Sequence, residues 1–234
     1  MNNEMNPAKK IRVMPLGDSI TRGKGGSSWR HHLRNLLKAE GIHIQYVGSS
    51  PHAPNFCEPW SDHYLALQQA LNYNVEHEGW GGLKIHELIK LVDHGSYPDF
   101  SIEALLETNP ADLILLMIGT NDFKDNYETE AAWQRLNRLV KMIVGISDAT
   151  LFTASILPIF AALDPAVSEK LKDYNAKIVG IIDSCRSKGC QVRFVEMYPH
   201  FRKEDMLEDG IHPNIYGDRK IAKIWSQAII TFLK

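Results

Sequence analysis

The chain has 234 residues, 44% of them hydrophobic and 23% charged, and its formal net charge at pH 7 is -2. That length suits one α/β domain with a sizeable core, and the near-neutral balance argues against nucleic acid as a partner. No stretch reaches the ~18 apolar residues of a membrane span, and the N-terminal MNNEMNPAKKIRVMPLG lacks an apolar run of signal-peptide length. The expectation is a soluble cytoplasmic protein without a membrane partner, secreted if a leader has been removed, with residues 1–10 a tail and 11–234 a single domain. Oligomeric state is not legible.

The first apolar run, IRVMPLGDS (11–19), reads as a strand, and Trp29 to Glu40 as a helix. A second strand, IHIQYVGSS (42–50), precedes an irregular segment, 51–80, with three prolines, two tryptophans and three histidines, long enough to cover a site or to be a surface excursion. Leu83 to Val92 reads as helix, ADLILLMIGTND (111–122) as strand, Thr129 to Ile146 as helix and ATLFTASILP (149–158) as strand. A helix from Ser168 to Ser187, with Leu171, Tyr174, Ile178 and Ile181 on one face, a strand QVRFVEMYP (191–199) and a last helix from Ile215 to Phe232 complete the chain. Strands alternating with helices imply a three-layer α/β/α sandwich around a five-stranded parallel sheet. Runs as apolar as LILLMI suit strands covered on both faces. In such sheets the ligand site lies beyond the C-terminal ends of the strands, which draws attention to GDS and GTND.

A serine hydroxyl needs a base, a group that orients the base, and donors for the developing oxyanion. Ser19 closes the first strand. In EDGIHPNIYGDRK, Asp209 stands three residues before His212, ahead of a helix, so one loop can present both side chains. Taken alone, DGIHPN is equally a turn followed by a helix start. Oxyanion donors are available from the Ser19 backbone N–H, from a glycine in HEGWGGLKI, placed at Gly82, and from the Asn121 side chain in GTND.

The segments GDSIT, a glycine before a helix, GTND and DGIHP, in this order over nearly the whole chain, resemble the four blocks of the SGNH hydrolases, also called GDSL esterases. The resemblance implies Ser19 as nucleophile, Gly82 and Asn121 as oxyanion donors, and Asp209 with His212 as acid and base. It implies a flavodoxin-like fold with strand order 2-1-3-4-5 and no cofactor. MPLGDSITRG, WRHHL, YVGS, HEGWGG, IGTND and DGIHPN are similar to family three of the carbohydrate esterases, whose bacterial members deacetylate xylan. The second block departs from the pattern, which commonly has serine where Gly81 stands. Asp18, Trp60, His77 and Trp80 are further substrate-binding candidates, the tryptophans as platforms for a sugar ring. The expected substrate is a small-molecule or oligosaccharide acetyl ester; lysophospholipase, thioesterase or broad arylesterase activity on the same fold is the alternative, and a noncatalytic carbohydrate-binding module the alternative of another class.

A nucleotide site is disfavoured, because GDSITRGKG places five residues between its first glycine and Gly-Lys where a phosphate loop has four, and then continues with Gly25. Ten histidines invite a metal centre, but His52, His63, His77 and His86 show no ligand spacing. Cys57, Cys185 and Cys190 match no zinc or disulfide pattern and read as reduced structural thiols. No metal is expected.

Overall fold

The computed structural model of the protein describes residues 10–24, 28–49, 76–91 and 100–234. Trp60, Cys57, His52 and His63, with most of the 51–80 segment, lie outside the described residues. The main sheet contains β1 (Ile11–Gly17), β2 (Ile44–Tyr46), β6 (Leu113–Met117), β7 (Thr150–Ala154) and β8 (Val192–Val195), in the spatial order β2-β1-β6-β7-β8. All four junctions are parallel. This is the expected order, with the first strand beside the third. A sixth strand, β3 (Glu78–Gly79), pairs with the end of β1 through Leu16 and Gly17.

Every residue of β6 and β7 is buried, as strands covered by helices on both faces must be. One helical layer contains α2 (Trp29–Ala39) and α8 (Ile215–Leu233), which pack together; the other contains α3 (Ile85–Ile89), α4 (Ile102–Thr108), α6 (Ala132–Ile146) and α7 (Pro165–Arg186). The start of α7 is set by Asp164, whose carboxylate accepts from Ala166 N–H, with proline in the first turn. Its buried face is Val167, Leu171, Tyr174, Ile178, Ile181, Ile182 and Cys185, the predicted stripe extended by one turn.

Several boundaries differ from the sequence reading, three of them beside GDS, GTND and the Gly82 turn. The first strand stops at Gly17, so that Ser19 opens α1 (Ser19–Arg22). The 111–122 run stops at Met117; Gly119, at φ +125°, turns the chain into α5 (Thr120–Lys124), which carries Asn121. The helix expected over 83–92 covers only Ile85–Ile89, because Lys90–Leu91 (β4) pairs antiparallel with Phe100–Ser101 (β5). That ribbon and α4 were not foreseen: each is too short for periodicity to register.

Candidate active site

β1 delivers Ser19 to the centre of the C-terminal edge of the sheet. Gly17 has no room for a side chain, since a Cβ there would collide with the Met117 carbonyl and come within 2.6 Å of the Thr21 hydroxyl. Asp18 then caps α1, its Oδ1 accepting from Ile20 N–H at 2.9 Å. The turn closes with Gly23, at φ +93°, donating its N–H to the Ser19 carbonyl at 2.9 Å. Trp29 in α2 ties down the same turn by donating Nε1–H to the Ile20 carbonyl. As the first residue of a helix, Ser19 has a backbone N–H with no intrahelical acceptor.

His212 and Asp209 come from the other end of the chain. Their loop is fixed on both sides: Leu207 N–H donates to His212 O at 2.8 Å, Phe160 N–H donates to Gly210 O at 2.7 Å, and Met206 bridges Pro213. Gly210, at φ +66°, lies so close to the Phe160–Ala161 backbone that a Cβ would meet Ala161 N at 2.5 Å. Asn214 caps α8 through Tyr216 and Gly217 N–H groups while its amide donates to the Glu204 and Met206 carbonyls.

The two ends meet in one hydrogen-bonded chain. Ser19 Oγ is 2.8 Å from His212 Nε2, and His212 Nδ1 is 2.7 Å from Asp209 Oδ2. The other Asp209 oxygen accepts from the Ile211 and His212 backbone N–H groups, each at 2.9 Å. Partial burial pushes the Asp209 carboxyl up, but those two N–H groups and the His212 ring outweigh it and hold it well below the usual carboxylate range. Burial lowers the His212 pKa, Asp209 raises it, and the charges of Lys24 and Arg22 lower it further, leaving the imidazole below its ordinary value. A neutral ring with Nδ1–H directed at a carboxylate leaves Nε2 as the acceptor toward Ser19.

At the end of β1, Trp80 N–H donates to the Gly17 carbonyl at 3.0 Å and opens the turn Trp80–Leu83, closed by Leu83 N–H on the Trp80 carbonyl. Gly82 occupies its third position at φ +82°, a value that favours glycine and that a type II turn requires there. It is exposed, and its N–H has no acceptor among the described residues. Asn121 fastens the turn by donating Nδ2–H to the Leu83 carbonyl at 3.0 Å, which leaves its second amide hydrogen. Next to it, fully buried Asp122 accepts from Ile85 N–H at 3.1 Å and from Arg135 Nη2 at 2.8 Å, locking the same segment to α6.

Of the weaker substrate-binding candidates, three lie inside the protein. Asp18 is fully buried and acts as the α1 cap; desolvation, opposed by the Ile20 N–H and the neighbouring Thr120 hydroxyl, raises its pKa to about 6. The Asp18 Oδ2 and Thr120 Oγ1 lie close enough to influence each other, though neither has a partner at full hydrogen-bond geometry. His77 is 2% exposed, and its Nδ1 accepts from Gly79 N–H. Trp80 is 5% exposed, stacks on Phe100 at 5.3 Å and donates Nε1–H to Glu78 Oε2 at 3.0 Å. These residues support the turn instead of presenting a surface to a sugar. Lys24, whose Nζ lies 3.2 Å from Asp209 Oδ2, was not singled out from the sequence, because nothing local signals a contact across 185 positions. No three His, Cys, Asp or Glu side chains converge as a metal site among the described residues.

Residues 16–220 match the GDSL-like lipase/acylhydrolase family. The chain belongs to that family. It is similar to a family 3 carbohydrate esterase of Clostridium thermocellum, 31% identical, covering 96% of this chain and 98% of that one at a TM-score of 0.73. A family 3 carbohydrate esterase from Talaromyces cellulolyticus, 19% identical, shares the fold at a TM-score of 0.72 over 95% of this chain and 97% of the other. Among curated proteins it is 26% identical over 245 residues to a multidomain esterase of Ruminococcus flavefaciens. That alignment takes in 97% of this GDSL-family chain and only 29% of the relative's length. No helix among the described residues is long and apolar enough to cross a membrane.

Proposed function

We propose that the protein is a serine esterase that removes short acyl groups, acetyl above all, from carbohydrate such as acetylated xylan or xylo-oligosaccharides. The observation that carries this reading is the Ser19–His212–Asp209 chain, with links of 2.8 and 2.7 Å. His212 Nε2 takes the Ser19 proton as Oγ attacks the ester carbonyl. The oxyanion develops against the Ser19 and Gly82 N–H groups and the remaining Asn121 amide hydrogen, where a single such donor is worth on the order of 3 kcal/mol in the transition state. His212 returns the proton to the departing alcohol, and water repeats the sequence on the acyl enzyme. Asp209 holds the tautomer and balances the imidazolium.

Support for the carbohydrate assignment comes from the 31% identity, along the whole chain, to a protein described as a family 3 carbohydrate esterase. The test is an acyl-ester panel run beside acetylated xylo-oligosaccharides. The expected order is acetyl above butyryl and far above octanoyl, with acetate released from the sugars. Higher kcat/KM on p-nitrophenyl octanoate than on the acetate, with no acetate from acetylated xylose or xylan, would move the assignment to a lysophospholipase or thioesterase.

A further inference from the structure

Arg22 closes α1 three residues after Ser19, a spacing that puts both side chains on one face of the turn. Its guanidinium lies against the oxyanion turn: a Cβ on Gly81 would come 2.8 Å from Nη1, 3.0 Å from Cζ and 3.2 Å from Nη2. A side chain at 81 would displace it, so Gly81 makes the space that the guanidinium fills. The Arg22 charge also disfavours the protonated form of His212. Arg22 thus shares a helical turn with Ser19 and packs its guanidinium against the Gly81 turn.

The cation is half-buried, and its Nε–H is buried without a hydrogen-bond partner. Lys24 pairs with Asp209, Arg12 with Asp112, and Arg135 with Asp122 and Glu128, whereas no ion pair among the described residues includes Arg22. A further cation, buried Arg30, donates Nη2–H to the Arg22 carbonyl at 2.9 Å, adding positive charge beneath it. A half-buried guanidinium three residues from Ser19, in no ion pair among the described residues, is complementary to an anion.

We infer that Arg22 is a specificity-determining residue that binds a carboxylate on the alcohol portion of the ester, which makes an acetylated uronate-type sugar a preferred substrate. The inference rests on the esterase reading of the Ser19 site. The leaving alcohol takes its proton from His212 Nε2, 2.8 Å from the Ser19 Oγ that shares a helical turn with Arg22. An anion on that sugar supplies the counter-charge missing from the described residues. Xylose and glucuronic acid make the comparison clean, because their pyranose rings differ only by the carboxylate group.

The experiment measures kcat/KM for mono-O-acetyl methyl glucuronoside, its uncharged uronamide and mono-O-acetyl methyl xyloside, with p-nitrophenyl acetate as reference. Wild type is expected to favour the uronate over the uronamide by roughly ten- to a hundredfold, the range of one hydrogen bond to a charged group. That ratio should fall toward one in Arg22→Gln, survive in part in Arg22→Lys, and shrink as salt is added. A wild-type ratio near one overturns the inference without any variant. Equal loss on charged and uncharged esters in Arg22→Gln overturns it too, making the guanidinium a transition-state electrostatic group instead. Wild type that fails to hydrolyse even p-nitrophenyl acetate removes the esterase reading, and this inference with it.

Discussion

Lys24 shares with His212 a single oxygen of Asp209, and its charge adds to the burial that lowers the basicity of the imidazole. Its Nζ lies 3.2 Å from Asp209 Oδ2, the atom that accepts from His212 Nδ1, and its charge disfavours the imidazolium. Lys24→Met removes that charge and leaves Asp209 to His212 alone, so both changes raise the His212 pKa. Since attack needs neutral imidazole, the acid limb of the kcat/KM profile should move to higher pH in Lys24→Met and return toward wild type in Lys24→Arg. An unmoved limb would make Lys24 a surface ion pair of no catalytic consequence. Asp18 offers a second pH signature. Its folded pKa of about 6 lies above the ordinary 3.8, so the folded state binds the proton more tightly, and stability is lost as pH rises through that interval. Asp18→Asn keeps a side chain able to cap α1 and removes the titration. The variant's stability relative to wild type should therefore grow between about pH 4 and 6, by up to about 3 kcal/mol, as read by denaturant unfolding at several pH values. A constant difference across that range would mean that Asp18 does not titrate there.

The start of α8 organises the site from the C-terminal side. Asn214 accepts from Tyr216 and Gly217 N–H and donates to the Glu204 and Met206 carbonyls, so one side chain caps the helix and restrains the loop that carries Asp209 and His212. Asn214→Ala is expected to cost about 1–2 kcal/mol, seen as a fall of roughly 2–8 °C in Tm, and to lower kcat more than it raises KM. Asn214→Asp keeps the cap but loses both amide donations; it should recover much of the Tm and little of the kcat. Recovery of both would assign the whole effect to the helix. This interplay marks where the sequence was informative. Long apolar runs such as LILLM and the Leu171–Ile181 stripe revealed strands and helices because burial on one or both faces leaves a periodic trace. GDS and DGIHP singled out Ser19, Asp209 and His212, which the fold joins in one hydrogen-bonded chain, because the residues of each motif are local. Lys24 and Asp122 stayed hidden, since each acts on a partner far along the chain and has no spacing of its own. Trp80 misled because an aromatic beside a glycine turn looks the same in sequence whether it stacks on a sugar or, as here, on Phe100.

The sheet order brings residues 193 positions apart into contact. β1 runs between β2 and β6, so Ser19 emerges where the strand order reverses, the place at which a parallel sheet opens a crevice. The first long helix and the last, α2 and α8, pack together with Trp29 and Trp225 ring centroids 6.2 Å apart. Trp29 also holds the turn after Ser19, and α8 begins two residues after Pro213, so the packing of two helices fixes the distance between nucleophile and base. The arrangement has one direct chemical consequence: Ser19 should be the most reactive hydroxyl in the molecule, and only while His212 and Asp209 are in place. Labelling with a fluorophosphonate, followed by peptide mapping, tests it. Modification should fall on Ser19 alone in wild type, vanish in Ser19→Ala, and slow by several orders of magnitude in a folded His212→Ala variant, in line with the loss of a triad member. Labelling of another residue, or an undiminished rate in folded His212→Ala, would contradict the assignment of Ser19 and His212 as nucleophile and base.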